Sequence, residues 1–268
     1  LTADVAGPEE RWELLGAPVD PVDLAGALQR VQTWLTTPGG ALRHVVTVNP
    51  EFIMAARRDP RFAAVLSAAD LATPDGVGVT LAARLLGQPI RGRVTGVDLV
   101  EGLARLEDPN VRIFLLGAAE GVAAAAAATL RERFPTVRVV GAFAGDASRQ
   151  GFSEIERRLR ATNPTVLLVA FGHPKQDLWI NGHREALSAH GILVATGVGG
   201  AFDYLSGNVP RAPRLMRSAG LEWLYRLVRQ PWRWRRQAVL PVFALLVGWT
   251  WLQRQAHSGR SWIIGRRS

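Results

Sequence analysis

Residues 111 to 134 read VRIFLLGAAEGVAAAAAATLRERF. The apolar run Val111 to Leu116 has the length and branching of a buried strand, Gly117 to Gly121 forms a turn, and Val122 to Phe134 is an alanine-rich stretch of helical propensity. This is one strand–turn–helix unit. Downstream it recurs as Val137 to Val140 before Ser153 to Ala161, Thr165 to Phe171 (TVLLVAF) before Leu178 to Leu187, and the strand Ile192 to Thr196 (ILVAT). Upstream, His44 to Val48 (HVVTV) leads into a helix that Asn49-Pro50-Glu51 starts and that is expected to reach about Leu66. Ala69 to Thr73 passes through Pro74-Asp75-Gly76-Val77-Gly78 into a helix ending at Leu86, and Asp20-Pro21-Val22-Asp23 supplies a cap and a first-turn proline for a helix to about Leu35. The alternation specifies an α/β fold, a largely parallel sheet with flanking helices.

With 268 residues and 48% hydrophobic content, the chain is long and apolar enough to bury a generous core. It has no cysteine, which excludes disulfides and thiolate metal sites and suits a reducing compartment. The opening residues LTADVAGPEER carry neither a basic nor an apolar signal region, so export is not expected.

Charge divides the chain. The last 58 residues, from Arg211, hold twelve arginines and one acid, Glu222, a charge of +11; the whole is +9, which leaves about −2 for the rest. Trp223, Trp232, Trp234, Trp249, Trp251 and Trp262 lie in the same stretch, beside the apolar run 238–252 (AVLPVFALLVGWTWL). At 15 residues, with Pro241 and Gly248 inside, that run is short for a bilayer span. Arginine and tryptophan around an apolar segment are the chemistry of a surface that meets anionic lipid head groups. Arg233, Arg235 and Arg236 before the run and Arg254 after it favour an interfacial position, and the competing reading is a core helix. The expected organisation is a body, 1–206, and a basic, helical, membrane-facing appendage, 207–268. Arg226, Arg229, Arg233 and Arg236 recur at helical spacing, but Pro231 predicts two pieces with a bend.

In open parallel sheets ligands bind outside the carboxyl ends of the strands. The polar residues at those ends are Thr47 and Asn49, Asp75 with Gly76, His173 to Asp177, and the glycine-rich Gly197 to Asp203. Asn49 is a helix cap or a site residue, and Asp75 is a cap for the next helix or a base at the mouth of the sheet. Lys175 is the only lysine among 32 lysines and arginines. No Walker loop and no glycine fingerprint after a strand is present, nor a metal-binding pattern, so neither cofactor nor metal is expected.

Taken in order, Thr47-Val48-Asn49-Pro50-Glu51, Pro74-Asp75-Gly76, Arg93-Val94-Thr95-Gly96-Val97-Asp98, Gly117 to Val122, Gly172-His173-Pro174-Lys175-Gln176-Asp177, Gly197 to Asp203, Arg211-Ala212-Pro213 and Leu221 to Leu227 closely resemble the WecG/TagA/CpsF family of bacterial glycosyltransferases. The matches cover residues 40 to 237, about three quarters of the chain. The resemblance implies a GT-E type fold and inverting, metal-independent transfer of N-acetylmannosamine, its uronate or another hexose. The donor would be a UDP-sugar and the acceptor undecaprenyl-diphosphate-linked N-acetylglucosamine, in cell-surface polysaccharide or teichoic acid synthesis. By motif, Asp75 resembles the family's base, and Thr47, Asn49, Gly76, Arg93, Gln176 and Gly199 its substrate pocket. Asp203 matches a position near the nucleotide, and Arg226, Arg233 and Arg236 match basic residues of an appendage that closes over the site. The implied location is cytoplasmic, on the inner face of the membrane; the oligomeric state is left open. The chain departs from the pattern at Gly145-Asp146-Ala147, where relatives carry Gly-Tyr-Phe, and at Asp177, where glutamate is commoner.

Competing classes fare worse on the residues. A nucleic-acid-binding module fits the basic, aromatic tail, but the near-neutral body offers no extended groove, and no nucleic-acid partner is expected. A nicotinamide-dependent oxidoreductase lacks its glycine fingerprint. A non-enzymatic membrane scaffold would need no pocket.

Overall fold

The computed structural model describes residues 10–264 apart from 38, 214, 217–220, 230, 232 and 233, with the side chains of 149, 226 and 257–264 also left out. A hairpin of β1 (Trp12–Leu14) and β2 (Ala17–Val19) comes first. Sequence reasoning missed it. Its strands are short, and its turn is made by Leu15 and Gly16, at φ 52° and 87°, the twin left-handed geometry of a tight hairpin.

The central sheet comprises β3 (Arg43–Val48), β4 (Leu71–Pro74), β5 (Ile113–Gly117), β6 (Val139–Phe143), β7 (Val166–Ala170) and β8 (Val194–Gly197). All six are parallel, in the order β4-β3-β8-β7-β5-β6. Strands β5 and β7 are buried at every position, as a parallel sheet covered on both faces requires. On one face lie α1 (Leu24–Thr36), α5 (Gly96–Ala104), α6 (Val122–Arg133) and α10 (Ala201–Leu205), whose Val31, Leu103, Ala126 and Phe202 pack with Val45, Leu115 and Leu168. The other face divides in two. Leu159 of α7 (Arg149–Thr162), Trp179 of α8 (Lys175–Gly182) and Leu187 of α9 (Arg184–Ala189) cover Phe114, Leu116 and Leu167. The hairpin with α2 (Pro50–Ala56), α3 (Pro60–Ser67) and α4 (Val77–Leu85) covers Val46, Val48 and Ala72. The α/β expectation holds.

Local expectations fail where a polar side chain has a distant partner. The cap of α1 is Asp23, which accepts from the Gly26 N–H at 2.8 Å. Asp20 turns inward instead, bound by Arg11 at 2.8 Å and by the Ala72 N–H at 2.6 Å. The helix expected from Asn49 to Leu66 is two, because Asp59 and Pro60 form a second cap with a first-turn proline. The stretch 178–187 likewise divides between α8 and α9. Helix α5 was not anticipated, although Thr95 and Asp98 close a full capping box around its start.

The C-terminal stretch forms α11 (Glu222–Arg229), α12 (Trp234–Gln237) and α13 (Val239–Ile264), so the expected interruption of the arginine face is present. Helix α13 carries the apolar run, with Pro241 tolerated in its first turn. One face of the run is core, as the competing reading had it, and the other is exposed. Phe243 and Val247 are each 4% exposed and join the Phe52 and Val79 cluster, while Val242, Leu245, Trp249 and Leu252 form an outward stripe with 43 to 74% exposure. Among the described residues, no helix is long and apolar enough to cross a membrane. One hydrogen bond pins α13 to α4, Arg254 Nη1 donating to the Leu86 carbonyl at 2.9 Å, and another ties α12 to α11, Gln237 Nε2 donating to the Trp223 carbonyl at 3.0 Å. Arg254 therefore does more than flank the apolar run, since it satisfies a carbonyl at the end of α4.

Candidate active site

The carboxyl ends of β3, β4, β7 and β8 open onto a cavity of about 800 Å³. Thr47, Asn49, Asp75, Gly76, Arg93, Gln176, Gly199 and Asp203 all line it, and Arg236 joins them from α12. Arg233 lies outside the described residues, as does the side chain of Arg226.

Asn49 serves both readings. Its Oδ1 accepts from the Phe52 N–H at 3.0 Å, capping α2, and its side chain also hydrogen-bonds the Asp75 carboxylate. Asp75 follows β4 directly, held by its own N–H on the Val48 carbonyl at 2.8 Å. It is not the cap of α4, as its position in the turn suggested. Gly76 takes that position at φ 83° without any side-chain cap bond, so the Asp75 carboxyl is not spent on capping.

The second motif sorts itself by burial. Lys175, the one lysine, is exposed and is absent from the cavity lining, so it supplies no cation there. Gln176 is 1% exposed and accepts from the Gly199 N–H at 3.1 Å, fixing the glycine turn. Gly197 makes that approach possible: a Cβ there would stand 2.7 Å from both Cγ and Cδ of Gln176. Asp177 is fully buried and lies 3.3 Å from His44 Nε2, which locks α8 to β3. The departing segment Gly145-Asp146-Ala147 leads into α7 and is not part of the cavity lining.

Of the other lining residues, His173 belongs to a strand-end cluster named from sequence, while Glu222 and the α13 side chains went unread. His173 stacks on Phe52 with ring centroids 4.2 Å apart. Burial pushes it down to about 4, Asp177 pulling it back and Arg236 adding to the fall, so it is a neutral wall at neutral pH. Glu222 reaches the cavity from α11, within 3.9 Å of Arg211, which also holds Asp98 at 3.1 Å. Leu240, Phe243, Ala244 and Val247 close one side from α13, opposite Leu81 and Leu85 of α4. The i, i+4 pair Phe243 and Val247 was visible in the sequence, but which body surface it meets was not.

The electrostatics favour a base beside an anion site. Burial away from water pushes the Asp75 carboxyl up to about 7; the Arg93 guanidinium pulls against this, Asp98 and Glu222 push with it, and the Asn49 hydrogen bond opposes. A carboxyl titrating near neutrality is suited to taking a proton at working pH. Helices α2, α4, α5 and α10 all begin at the cavity, α2 and α5 capped by Asn49 and Thr95 and α4 and α10 without a side-chain cap, so that partial positive charge stands at its edge. Among the described residues, no group of three or more histidine, aspartate or glutamate side chains comes together as a metal site would need.

Residues 12–257 match the Glycosyl transferase WecG/TagA/CpsF family. An N-acetylglucosaminyldiphosphoundecaprenol N-acetyl-beta-D-mannosaminyltransferase of Bacillus spizizenii is 37% identical over 216 residues, 80% of this chain and 81% of its own length. The enzyme of the same name from Bacillus subtilis is 35% identical over 76% of this chain and 78% of its own, and that from Staphylococcus aureus strain MW2 is 26% identical over 91% and 94%. The chain is therefore a glycosyltransferase, a member of the WecG/TagA/CpsF family.

Proposed function

We propose that the enzyme transfers N-acetylmannosamine, with inversion, from a UDP donor to N-acetylglucosamine linked through diphosphate to undecaprenol. The observation that carries this reading is Asp75, a carboxyl titrating at about 7 at the floor of a cavity ringed by helix N-termini and Arg236. In the transfer, the acceptor hydroxyl gives its proton to Asp75 as its oxygen bonds the anomeric carbon, and the bond from that carbon to UDP breaks on the opposite face. Thr47, Asn49 and Gln176 orient the sugar, and Arg93 balances the carboxylate. Charge develops on the departing UDP, where Arg236 and the helix ends meet it, with Arg226 and Arg233 assigned the same task from sequence. In this reading the arginines take over the charge stabilisation that a divalent ion would otherwise supply.

Residues 207–268 act in this reading as an appendage that seats the enzyme on the cytoplasmic face of the membrane. Two features support it. The tail holds twelve arginines against one acid, and the outward stripe of α13 is apolar. A panel of UDP-sugars with a soluble N-acetylglucosamine-diphosphate-lipid analogue, scored by UDP release with and without EDTA, is the test. UDP-N-acetylmannosamine should be the preferred donor and EDTA without effect. Preference for the uronate or another hexose would overturn the donor, and loss of turnover restored by Mg²⁺ or Mn²⁺ the metal-free mechanism.

A further inference from the structure

The cavity has two chemically different ends. Asp75, Arg93 and Asp203 mark the polar one, while Leu81, Leu85, Leu240, Phe243, Ala244 and Val247 make the other a groove between α4 and α13. Leu81 and Leu85 sit one turn apart on α4 and are 55% and 47% exposed. Among the described residues, every other strongly exposed large hydrophobic side chain lies between Leu215 and Leu252, so these two leucines extend the apolar surface of the tail inward to the polar site. A soluble body rarely leaves such a continuous patch without a partner.

Three details make the groove a preformed one. Its floor is sealed where Gly78 lets Pro50 and Phe243 close in; a Cβ on Gly78 would meet Pro50 Cγ at 2.8 Å and Phe243 Cε1 at 3.6 Å. Its far wall is held to α4 by the Arg254 hydrogen bond, and α12, which leads into that wall, is tied to α11 by the Gln237 hydrogen bond. Gln237 also lines the cavity, 8% exposed, and its buried Oε1 finds no hydrogen-bond partner among the described residues.

We propose that this groove is a binding subsite for the first isoprenoid units of the lipid-linked acceptor, the part of the chain next to the diphosphate. The inference rests on the proposed function and adds that the enzyme reads the lipid chain itself, beyond being brought near it by the membrane. An amphiphile with its sugar at Asp75 lays its chain between Leu81 and Ala244 and leaves past the outward stripe of α13. Branched hydrocarbon there covers leucines that water otherwise wets.

The test uses two water-soluble acceptors and no vesicles: N-acetylglucosamine diphosphate carrying a methyl group, and the same head group carrying three isoprene units. UDP release is measured for each with UDP-N-acetylmannosamine as donor. The wild-type enzyme is expected to prefer the isoprenyl acceptor in kcat/KM by at least about tenfold, the worth of roughly two buried methylene groups. The double variant Leu81→Ser/Leu85→Ser, whose positions are half exposed, should bring the ratio towards one. Ala244→Phe, which fills the groove instead of stripping it, should do the same. Trp249→Ser, on the outward stripe, should keep the wild-type ratio. Equal use of both acceptors by the wild type, or an equal fall in the ratio for all three variants, overturns the subsite while leaving the proposed function standing. Absence of transfer to either acceptor by the wild type removes the proposed function, and the subsite with it.

Discussion

The body and the tail use arginine in different ways. In the body, many guanidinium groups end on carboxylates: Arg43 and Arg184 both reach Asp70, at 2.9 and 2.5 Å, Arg157 and Arg158 share Glu154, and Arg11 holds Asp20. In the tail, twelve arginines face a single acid: Arg211 reaches that acid, Glu222, and the body's Asp98, Arg254 a carbonyl of the body, while Arg235 lies over Trp234, Arg229 over Tyr225, and Arg236 faces the cavity. Pairing in the body neutralises charge locally and contributes at most about 1 kcal/mol per exposed pair. The tail cannot be neutralised from within. Its excess charge is balanced only by anions from outside, whether lipid head groups or a departing diphosphate.

The comparison breaks most sharply at Asp75, a body residue whose removal should stop chemistry without touching membrane attraction. Asp75→Asn is expected to lower kcat by about 10² to 10⁴ with vesicle binding unchanged. The wild-type rate should fall as pH drops through about 7, because the base works only when ionised, and that inflection should vanish in the variant. Stability gives an independent reading. Asp75 binds its proton more tightly folded than unfolded, so its contribution is fully favourable below about 4 and is lost as pH rises through about 7. The Asn variant should therefore gain more in Tm at pH 8 than at pH 4; an equal change at both would contradict the raised carboxyl.

Arg236→Ala sharpens the contrast from the tail. It should depress turnover by roughly 10²-fold, the scale of one lost charged donor at a leaving group, while vesicle binding barely changes because eleven other tail arginines remain. A proportional loss of both would reduce the arginine to an anchor. Gly197→Ala belongs to the body alone: the added methyl displaces Gln176 and should lower unfolding free energy by about 1–3 kcal/mol in urea titration, with a raised donor KM. Unchanged stability would mean that Gln176 has room to move. Leu245→Ser and Trp249→Ser, on the outward stripe, should have the smallest effect, weakening vesicle binding by on the order of 1 kcal/mol each and leaving turnover on a soluble acceptor unaltered.

What could be read without coordinates was local. Strands such as VRIFLL and TVLLVAF announce themselves because both faces of a parallel strand are buried, and Asn49-Pro50 announces a helix start because cap and proline act on adjacent N–H groups. The site was legible for the same reason, since its polar residues follow strand ends. Asp20 misled because the groups that claim it, Arg11 and the Ala72 N–H, belong to the hairpin approach and to β4. The apolar wall of the cavity was illegible because Phe243 meets Phe52 and Val79 only through the tertiary fold. Asp177 looked like a conservative exchange in a motif, and burial against His44 makes it a fastening between α8 and β3 instead.

Phe243 and Val247 stand on the same helix as the exposed apolar stripe, one side forming the wall of the cavity and the other the outer surface. A shared wall makes occupancy on its two sides thermodynamically reciprocal. If vesicles tighten UDP-sugar binding by some factor, UDP-sugar must tighten vesicle binding by that same factor, and calorimetric titrations run in both orders would measure it. A factor of one in both would mean that the wall is rigid. Any larger value would make the lipid composition of the bilayer a control on substrate affinity, with α13 as the element that carries it.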